Sequence, residues 1–323
     1  MRILITGGLG FLGGRLAAYL YAAGHQIVLG SRRIAEPPFW LPKAEVAKIN
    51  WGENESIQSC CKSIDVVIHT AGMNAKNCIL NPVDALAING LNTARLVSAA
   101  NEAGVKQFIY LSTAHVYANP LVGVLTEEIC PTNLHPYATT HLAGEQAVLG
   151  ASKLGEMHGI VLRISNAFGA PMDQDVNCWM LLVNDLCRQA VQTRKLKLQT
   201  NGLQERNFIN IHSLCKIVES IVISPTREVD IKTDIYNVGS GVSQTVLAMA
   251  RLVQQRCFEI LGCKIFVELA EEISNDRNLK LDFRVNKLSE LGIQSNELEN
   301  IAEIDQLINF CQSHFEQGKK CLK

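Results

Sequence analysis

The sequence predicts an α/β fold: a doubly wound parallel sheet with a smaller C-terminal lobe. Three observations lead to this prediction. The first half alternates short apolar runs with amphipathic stretches, a glycine cluster separates the first apolar run from a helical pattern, and the alternation loosens after residue 168. Such alternation predicts a parallel sheet, because each helix that connects two parallel strands packs on a face of the sheet.

Apolar periodicity predicts the elements in chain order. Strands are predicted at 2–6, 26–30, 46–50, 65–70, 107–112 and 159–164. Helical patterns lie between them, for example at 84–103 and 138–155. Beyond residue 168 the pattern predicts a helix near 177–193, strands near 208–212 and 234–238, and helices near 243–260 and 303–317.

The glycine cluster points to phosphate binding. Residues 3–13 read ILITGGLGFLG, which is a strand, a tight turn and the start of a helix. Glycines let a pyrophosphate approach the backbone, and the helix start directs free N–H groups at the phosphates. The alternative is a glycine turn with only a structural role. We therefore expect a dinucleotide-binding domain at 1–168, with returning segments near 208–240, and a mainly substrate-binding lobe at 169–323.

The end of the second predicted strand indicates which dinucleotide is bound. The chain reads Ser31, Arg32 and Arg33 there, whereas an NAD site usually places an acid at this point for the ribose hydroxyls. Cations suit a 2′-phosphate, so we expect NADP rather than NAD. The alternative is that both arginines are solvated loop charges.

Two stretches contain the residue types that a carbonyl-reducing site needs. Residues 111–117 read LSTAHVY after an apolar strand, and residues 136–145 read PYATTHLAGE. A tyrosine on the helix gives or takes a proton, and a hydroxyl at the strand end holds the substrate oxygen, while a nicotinamide moves hydride.

Composition argues against several other classes of protein. The 323 residues are 47 % apolar and carry a net charge of −1, which implies no attraction to nucleic acid or membrane. No apolar run approaches a membrane span, and the first strand follows Met1 too closely for a signal peptide, so we expect a cytoplasmic protein. The eleven cysteines are scattered without a C-x-x-C pair, which favours reduced thiols over a metal site.

Taken in order, the motifs resemble those of extended short-chain dehydrogenases/reductases, in particular the NAD-dependent epimerase/dehydratase family, which acts on nucleotide sugars. The matching motifs are the glycine turn at 6–13, HTAG at 69–72, Asn89 with Thr93, RISN at 163–166, GLQERNFINI at 202–211 and YNVG at 236–239. The resemblance covers nearly the whole chain. It implies a Rossmann-type sheet and a homodimer through long helices that include 84–103 and 138–155.

The resemblance also implies which residues form the site. The expected cofactor-binding residues are Thr6, Gly7, Gly10, Phe11, Leu12, Gly13, Ser31, Arg32, Arg33, Asn50, Trp51, Thr70, Ala71, Gly72, Asn89, Leu111, Tyr137, His141 and Ile164. The expected substrate-binding residues are Met73, Thr113, His115, Asn166 and Arg206. Thr113 would be the substrate hydroxyl, Tyr137 the acid/base and Arg206 a ligand of the substrate diphosphate. No metal is expected.

His141 is the main departure from the family, which has a lysine four residues after the tyrosine. That lysine holds the nicotinamide ribose, and its charge lowers the pKa of the tyrosine. A neutral histidine still donates a hydrogen bond. Loss of the nearby charge, however, changes the pKa of the tyrosine by about 1–3 units, which corresponds to roughly 10–1000-fold in the rate of the reaction. A reductase tolerates this better than a dehydrogenase, because its tyrosine starts protonated. The alternative is that His141 only packs on its helix and the site is degenerate.

Two further departures concern the substrate. Sugar 4,6-dehydratases of the family carry an acid pair where this chain has Ala114 and His115, which argues against a dehydratase. We expect His115 to face the substrate, since it lies two residues past Thr113 on an extended chain; otherwise it packs against the lobe. Asn207 and Ser213 lie in a stretch where the family usually has acids, which weakens the assignment of Arg206 to a diphosphate. The alternative is that Arg206 forms a surface ion pair.

The sequence therefore predicts an NADP-dependent oxidoreductase that reduces a keto group of a nucleotide-linked sugar, with a 4-keto-6-deoxy sugar as the expected substrate. The alternative in the same family is an epimerase, which holds its cofactor tightly and in most cases uses NAD. The alternative from another class is a catalytically degenerate nucleotide-binding or scaffold protein.

Overall fold

The computed structural model describes residues 1–155, 157–224, 234–270, 280–293 and 297–316. The chain divides into two compact units. Unit 1 comprises Met1–Asn119, Glu127–Ile164 and Cys215–Asn237, and unit 2 comprises Pro120–Thr126, Ser165–Leu214 and Val238–Lys323.

The described residues contain the following elements in chain order. The strands are β1 Arg2–Thr6, β2 Gln26–Ser31, β3 Glu45–Lys48, β4 Val66–His69, β5 Gln107–Thr113, β6 Gly123–Leu125, β7 His158–Ile164, β8 Asn166–Phe168, β9 Lys195–Lys197, β10 Glu205–Asn210, β11 Ile235–Val238, β12 Ser243–Thr245, β13 Phe266–Glu268 and β14 Leu281–Phe283. The helices are α1 Phe11–Ala22, α2 Asn54–Cys61, α3 Ala75–Leu80, α4 Pro82–Ala85, α5 Asn92–Glu102, α6 Pro136–Leu154, α7 Leu182–Thr193, α8 Ile211–Ile223, α9 Val246–Leu261, α10 Asn286–Glu290 and α11 Glu297–Phe315. A π-helical segment, Leu86–Leu91, joins α4 to α5, and a 3-10 turn, Ala114–Val116, follows β5.

A seven-stranded sheet confirms the predicted α/β class. Its strand order is β11-β7-β5-β4-β1-β2-β3, and the pairs from β3 to β7 are parallel. The apolar run of β1 is fully buried, as expected for a strand with helices over both faces of the sheet. Thr6 pairs with Gly30 on one side and with His69 on the other, so the strand order reverses at β1. Ligands of such sheets bind outside the carboxyl ends of the strands at this reversal.

Unit 2 is built from helices and short strands. β12, β10 and β8 form a three-stranded sheet, and β13-β9 and β14-β6 form two-stranded ones. Its core contains buried side chains from β10, α7, α9 and α11, including Phe208, Leu186, Met249 and Ile304.

The predicted N-terminal strands lie within two residues of the observed ones, but three later predictions were wrong in part. The chain becomes helical at Ile211, which starts α8, a helix that the periodicity did not predict. Residues 243–245 form a strand, and the Thr245 hydroxyl then caps α9 by accepting the Ala248 N–H at 3.0 Å. The helix predicted from 177 begins only at Leu182.

Three features of the described residues bear on other classes of protein. No helix among them has the length and apolar character needed to span a membrane. Their ten cysteines are free thiols, and they contain no group of three or more His, Cys, Asp or Glu side chains arranged to hold a metal ion.

Candidate active site

The glycine turn after β1 packs too closely for side chains. A Cβ on Gly13 would overlap the carbonyl of Gly7, and a Cβ on Gly7, whose φ is +69°, would lie 2.9 Å from Thr70 Oγ1. The Thr70 hydroxyl donates to the Thr6 carbonyl at 2.7 Å. The turn is therefore held against the end of β4, and Ala71 follows directly, with its backbone nitrogen also 2.9 Å from the position of a Gly7 Cβ.

The start of α1 offers free backbone N–H groups. Gly10 is the N-cap and makes no side-chain cap, and the first turn, which begins with Phe11 and Leu12, contains no acid. The N–H of Gly10 itself is used by the Gly7 carbonyl at 2.8 Å. Unpaired N–H groups and the helix dipole stabilise an anion. The turn therefore fits a pyrophosphate.

Two guanidinium groups are exposed at the end of β2. Ser31 Oγ accepts the N–H of Arg33 at 3.1 Å, and the side chains of Arg32 and Arg33 are both exposed. Neither has an ion-pair partner among the residues that the structure describes. Both are thus available to an anion from solution.

Asn50 and Trp51 follow β3. Asn50 Oδ1 accepts the Gly52 N–H at 3.2 Å, and Arg95 Nη1 donates to the Trp51 carbonyl at 2.7 Å. The ring centroids of Trp51 and His69 are 6.2 Å apart. The indole therefore lies beside the end of β4.

A buried hydrogen-bond network runs from the glycine turn through His69. Thr6 Oγ1 lies 2.5 Å from His69 Nδ1, and His69 Nε2 lies 3.0 Å from Thr93 Oγ1. Thr93 donates to the Asn89 carbonyl at 2.6 Å. Burial, with a smaller contribution from His141, lowers the pKa of His69 to about 3. His69 is therefore neutral near pH 7.

The π-helical segment contains Asn89, whose amide is largely used within the protein. Its Oδ1 accepts the Met73 N–H at 2.8 Å, and its Nδ2 donates to Thr140 Oγ1 at 3.0 Å. Asn89 thus ties the loop after β4, which includes the exposed Gly72, to α6.

The structure brings Thr113 and Tyr137 together. Thr113 ends β5, with Leu111 and Ile164 buried beside it, and Tyr137 lies in the first turn of α6, where His135 Nδ1 accepts the Tyr137 N–H at 3.1 Å. Burial raises the pKa of the Tyr137 phenol, and its hydrogen bond with Thr113 offsets this rise only in part. The phenol is therefore protonated near neutral pH.

His141 lies one helical turn beyond Tyr137 and is 6 % exposed. Its ring meets the Tyr137 ring edge to face at 4.6 Å, and its Nδ1 is 2.8 Å from the Tyr110 phenol oxygen. Its Nε2 lies on the side of Gly72: a Cβ added to Gly72 would lie 3.7 Å from His141 Nε2. Burial lowers the pKa of His141 to about 4, so it places no positive charge beside Tyr137 near neutral pH.

Sequence reasoning missed a buried ion pair beneath these residues. Glu145 of α6 accepts hydrogen bonds from Arg163 of β7 at 2.7 Å and from Ser112 of β5 at 2.5 Å. Glu145 and Arg163 are 0 % and 2 % exposed. The pair ties α6 to both strands. The available signal was the position of Glu145, two helical turns after Tyr137 on the same face of the helix.

The reason for expecting His115 to face the substrate was wrong, because the chain is not extended past Thr113. Thr113 Oγ1 accepts the His115 N–H at 3.1 Å and starts the 3-10 turn at 114–116. The alternation of an extended chain therefore ends at Thr113, and the His115 side chain is exposed.

Asn166 and Arg206 lie in unit 2 on neighbouring strands. Asn166 Nδ2 donates to the Asn207 carbonyl at 2.8 Å, where β8 pairs with β10. Arg206 is partly buried on β10, and this burial lowers its pKa. No carboxylate in the described part of the chain pairs with it. The surface ion pair considered from the sequence is therefore absent from that part.

Comparison with known proteins identifies one family. The profile described as "NAD dependent epimerase/dehydratase family" matches residues 3–239. UDP-glucuronic acid decarboxylase 1 of Xenopus tropicalis is 26 % identical over 305 residues, which cover 89 % of this chain and 67 % of the relative. The uncharacterized UDP-glucose epimerase YtcB of Bacillus subtilis (strain 168) is 24 % identical over 293 residues, with 85 % and 87 % covered.

Solved structures share the fold over almost the whole chain. MoeE5 in complex with UDP-glucose and NAD is 23 % identical with a TM-score of 0.75, covering 96 % of this chain and 99 % of its own. RMD from Pseudomonas aeruginosa complexed with NADPH is 21 % identical with a TM-score of 0.76, covering 97 % and 99 %. The neighbours thus include both an NAD and an NADPH complex.

Proposed function

The chain belongs to the NAD-dependent epimerase/dehydratase family and is an enzyme of the short-chain dehydrogenase/reductase type, and we propose that it reduces a keto group of a nucleotide-linked sugar with NADPH. One feature of the site carries this proposal: the Tyr137 ring meets the His141 ring edge to face at 4.6 Å, and burial keeps the phenol protonated and the imidazole uncharged near neutral pH. Such a pair favours proton donation over proton removal.

The residues divide the work of a reduction. When bound, the nicotinamide supplies hydride to the carbonyl carbon. Tyr137 donates its phenolic proton to the carbonyl oxygen as that oxygen gains charge, and Thr113 orients the same oxygen through its hydroxyl. A proton from water then restores the phenol. The raised pKa keeps the phenol protonated until the transfer, and the alkoxide that forms on the substrate is a stronger base than the phenolate, so the proton passes to it.

Cofactor and substrate preferences are inferred from three arginines. Arg32 and Arg33 are exposed without an acid at the end of β2, which favours a 2′-phosphate and hence NADP. Arg206 is partly buried and has no carboxylate partner in the described residues. An unpaired guanidinium that has lost part of its hydration binds an anion such as a diphosphate favourably, through charge-assisted hydrogen bonds. The nucleotide sugars in the names of the relatives support the same substrate class.

An epimerase is the second candidate, since the Bacillus subtilis relative is named as one and MoeE5 is described with NAD. An epimerase first oxidises its sugar, so its tyrosine must begin by removing a proton. The raised pKa of Tyr137 opposes this first step.

The test compares the protein with its Tyr137→Phe variant. The purified chain is given NADPH and a UDP-linked 4-keto-6-deoxyhexose, and nicotinamide absorbance is followed. We expect NADPH consumption in the wild type and a roughly 10²–10⁴-fold lower kcat in Tyr137→Phe, the usual contribution of a general acid. Tyr21→Phe, an exposed tyrosine on α1, serves as the matched control.

Other outcomes discriminate the alternatives. Unchanged turnover in Tyr137→Phe contradicts the mechanism. Interconversion of UDP-hexoses with NAD retained through purification supports the epimerase. Failure to bind either NADPH or NADH supports the degenerate protein.

A further inference from the structure

Tyr110 is a buried tyrosine next to the site that the proposed reaction does not use. It lies on β5 with 1 % of its surface exposed, and its oxygen is 2.8 Å from His141 Nδ1. Its ring is stacked near both histidines, at 5.5 Å from His69 and 5.9 Å from His141 between centroids. Gly144 makes room for the phenol, since a Cβ there would lie 2.7 Å from the oxygen.

The neighbouring hydrogen bonds have a fixed direction. A carbonyl can only accept, so the Thr93 hydroxyl donates to the Asn89 carbonyl at 2.6 Å. His69 Nε2, 3.0 Å from Thr93 Oγ1, must then donate its N–H to that oxygen. The neutral His69 is left with an accepting Nδ1, which the Thr6 hydroxyl reaches at 2.5 Å.

This order leaves His141 Nδ1 as the best acceptor for the Tyr110 hydroxyl. The Tyr110 phenol also has a hydrogen-bond interaction with the Thr93 side chain. The Thr93 oxygen already accepts from His69, and a hydroxyl oxygen is a weaker acceptor than an imidazole nitrogen. A phenol is a stronger donor than an imidazole N–H, and an imidazole nitrogen is a stronger acceptor than a phenol oxygen, so the bond runs from Tyr110 to His141. A neutral imidazole that accepts at Nδ1 carries its proton on Nε2.

We propose that Tyr110 is a positioning residue that fixes His141 as the Nε2–H tautomer, so that an uncharged hydrogen-bond donor is presented on the side of Gly72. The inference rests on the proposed function for its purpose, because the donor then serves the bound cofactor. A lysine would supply a donor together with a charge. His141, held by Tyr110, supplies the donor and leaves Tyr137 protonated.

Nitrogen-15 NMR of protein labelled in its histidines tests the tautomer without any turnover. His141→Gln identifies the signals of His141. We expect the wild type to show Nε2 protonated and Nδ1 unprotonated. Tyr110→Phe removes the donor to Nδ1, so we expect His141 to become a mixture of both tautomers. The dissociation constant of NADPH should rise roughly 3–10-fold, the worth of one neutral hydrogen bond.

Tyr117→Phe is the matched control. Tyr117 is also a buried tyrosine, but its hydroxyl donates to Asn237 Oδ1 at 2.7 Å, and its loss should leave the His141 tautomer unchanged. A protonated Nδ1 in the wild type overturns the inference, and this measurement needs no variant that could fail to fold. An unchanged tautomer in a folded Tyr110→Phe overturns it as well.

The two proposals fail in distinguishable ways. If the Nε2–H tautomer is present and depends on Tyr110, but no keto sugar is reduced, the positioning role stands and the proposed reaction is wrong. If a keto sugar is reduced while His141 carries its proton on Nδ1, the reaction stands and the role of Tyr110 is wrong.

Discussion

His69 and His141 are buried neutral imidazoles, and this makes the fold sensitive to acid. Burial lowers their pKa values to about 3 and about 4, from 6.5 in an exposed chain. Below pH 6.5 these two imidazoles therefore become protonated in the unfolded chain while they stay neutral in the folded chain. The contribution of the two histidines to the free energy of unfolding is therefore complete above pH 6.5. As the pH falls below 6.5 toward 4, each histidine lowers the free energy of unfolding by about 1.4 kcal/mol per pH unit.

The first prediction follows from this linkage. Between pH 6.5 and 5 the free energy of unfolding should fall by about 2–4 kcal/mol from these two residues, measured by urea denaturation. The His141→Gln variant cannot take up this proton, so its free energy of unfolding should fall by about 1–2 kcal/mol less than that of the wild type over the same range. An equal slope in His141→Gln would show that His141 titrates normally in the folded protein.

The second prediction concerns Arg32 and Arg33, which we expect to bind the 2′-phosphate of NADPH. Replacing both with alanine should raise the dissociation constant of NADPH at least about 10-fold, because an arginine–phosphate pair contributes about 1.5–3 kcal/mol. The dissociation constant of NADH, which has no 2′-phosphate, should change little. Titration of nicotinamide fluorescence measures both values.

Lys43→Ala is the control for this pair, since Lys43 is an exposed cation on the loop between β2 and β3. It should leave both dissociation constants unchanged. Equal weakening of NADPH and NADH in the double variant would show that the two arginines do not recognise the 2′-phosphate.

At the scale of elements, the Glu145–Arg163 pair joins α6 to the sheet. Removing one partner of a buried pair leaves an uncompensated buried charge and costs about 3–5 kcal/mol. Glu145→Ala should therefore lower the free energy of unfolding by that amount. Glu268→Ala breaks the exposed Lys195–Glu268 pair and should cost less than about 1 kcal/mol. Comparable losses in the two variants would contradict the structural role of the buried pair.

The same scale separates what sequence could predict from what it could not. Strands β1, β4 and β5 are predictable because a parallel strand covered on both faces reads as a continuous apolar run. Helix α8 was missed because it starts at Ile211 directly after β10, with no turn residue between them. The 3-10 turn at 114–116 depends on one hydrogen bond from the His115 N–H to Thr113 Oγ1, which no periodicity reports.

Site residues follow the same division. The glycine turn is a local motif, so the sequence could name it. Thr113 and Tyr137 lie in separate stretches, and they could be named together because the family resemblance assigns a role to each stretch. The contacts of Glu145 with Arg163 and of Tyr110 with His141 join residues 18 and 31 positions apart through the tertiary fold. A single sequence carries no signal for such pairs beyond the residue types themselves.

At the scale of the whole molecule, unit 1 exposes apolar side chains along α3, α4 and the π-helical segment. The exposed fractions are 59 % for Ile79, 65 % for Leu80, 81 % for Val83, 54 % for Leu86 and 49 % for Leu91. Several such side chains close together in sequence are typical of a surface that another protein covers. We expect that protein to be a second copy of this chain, in line with the dimer that the family resemblance implies for residues 84–103.

The last prediction tests this dimer. Val83→Lys with Leu86→Lys places two charges on the patch, and burying them between two copies would cost several kcal/mol. The wild type should therefore have the mass of a dimer in sedimentation equilibrium, and the double variant the mass of a monomer. Phe258→Lys, a substitution of a similarly exposed apolar residue on α9 of unit 2, should keep the mass of the wild type. If the double variant stays dimeric, these side chains do not form the interface, and if the wild type is monomeric at micromolar concentration, the expectation of a dimer is wrong.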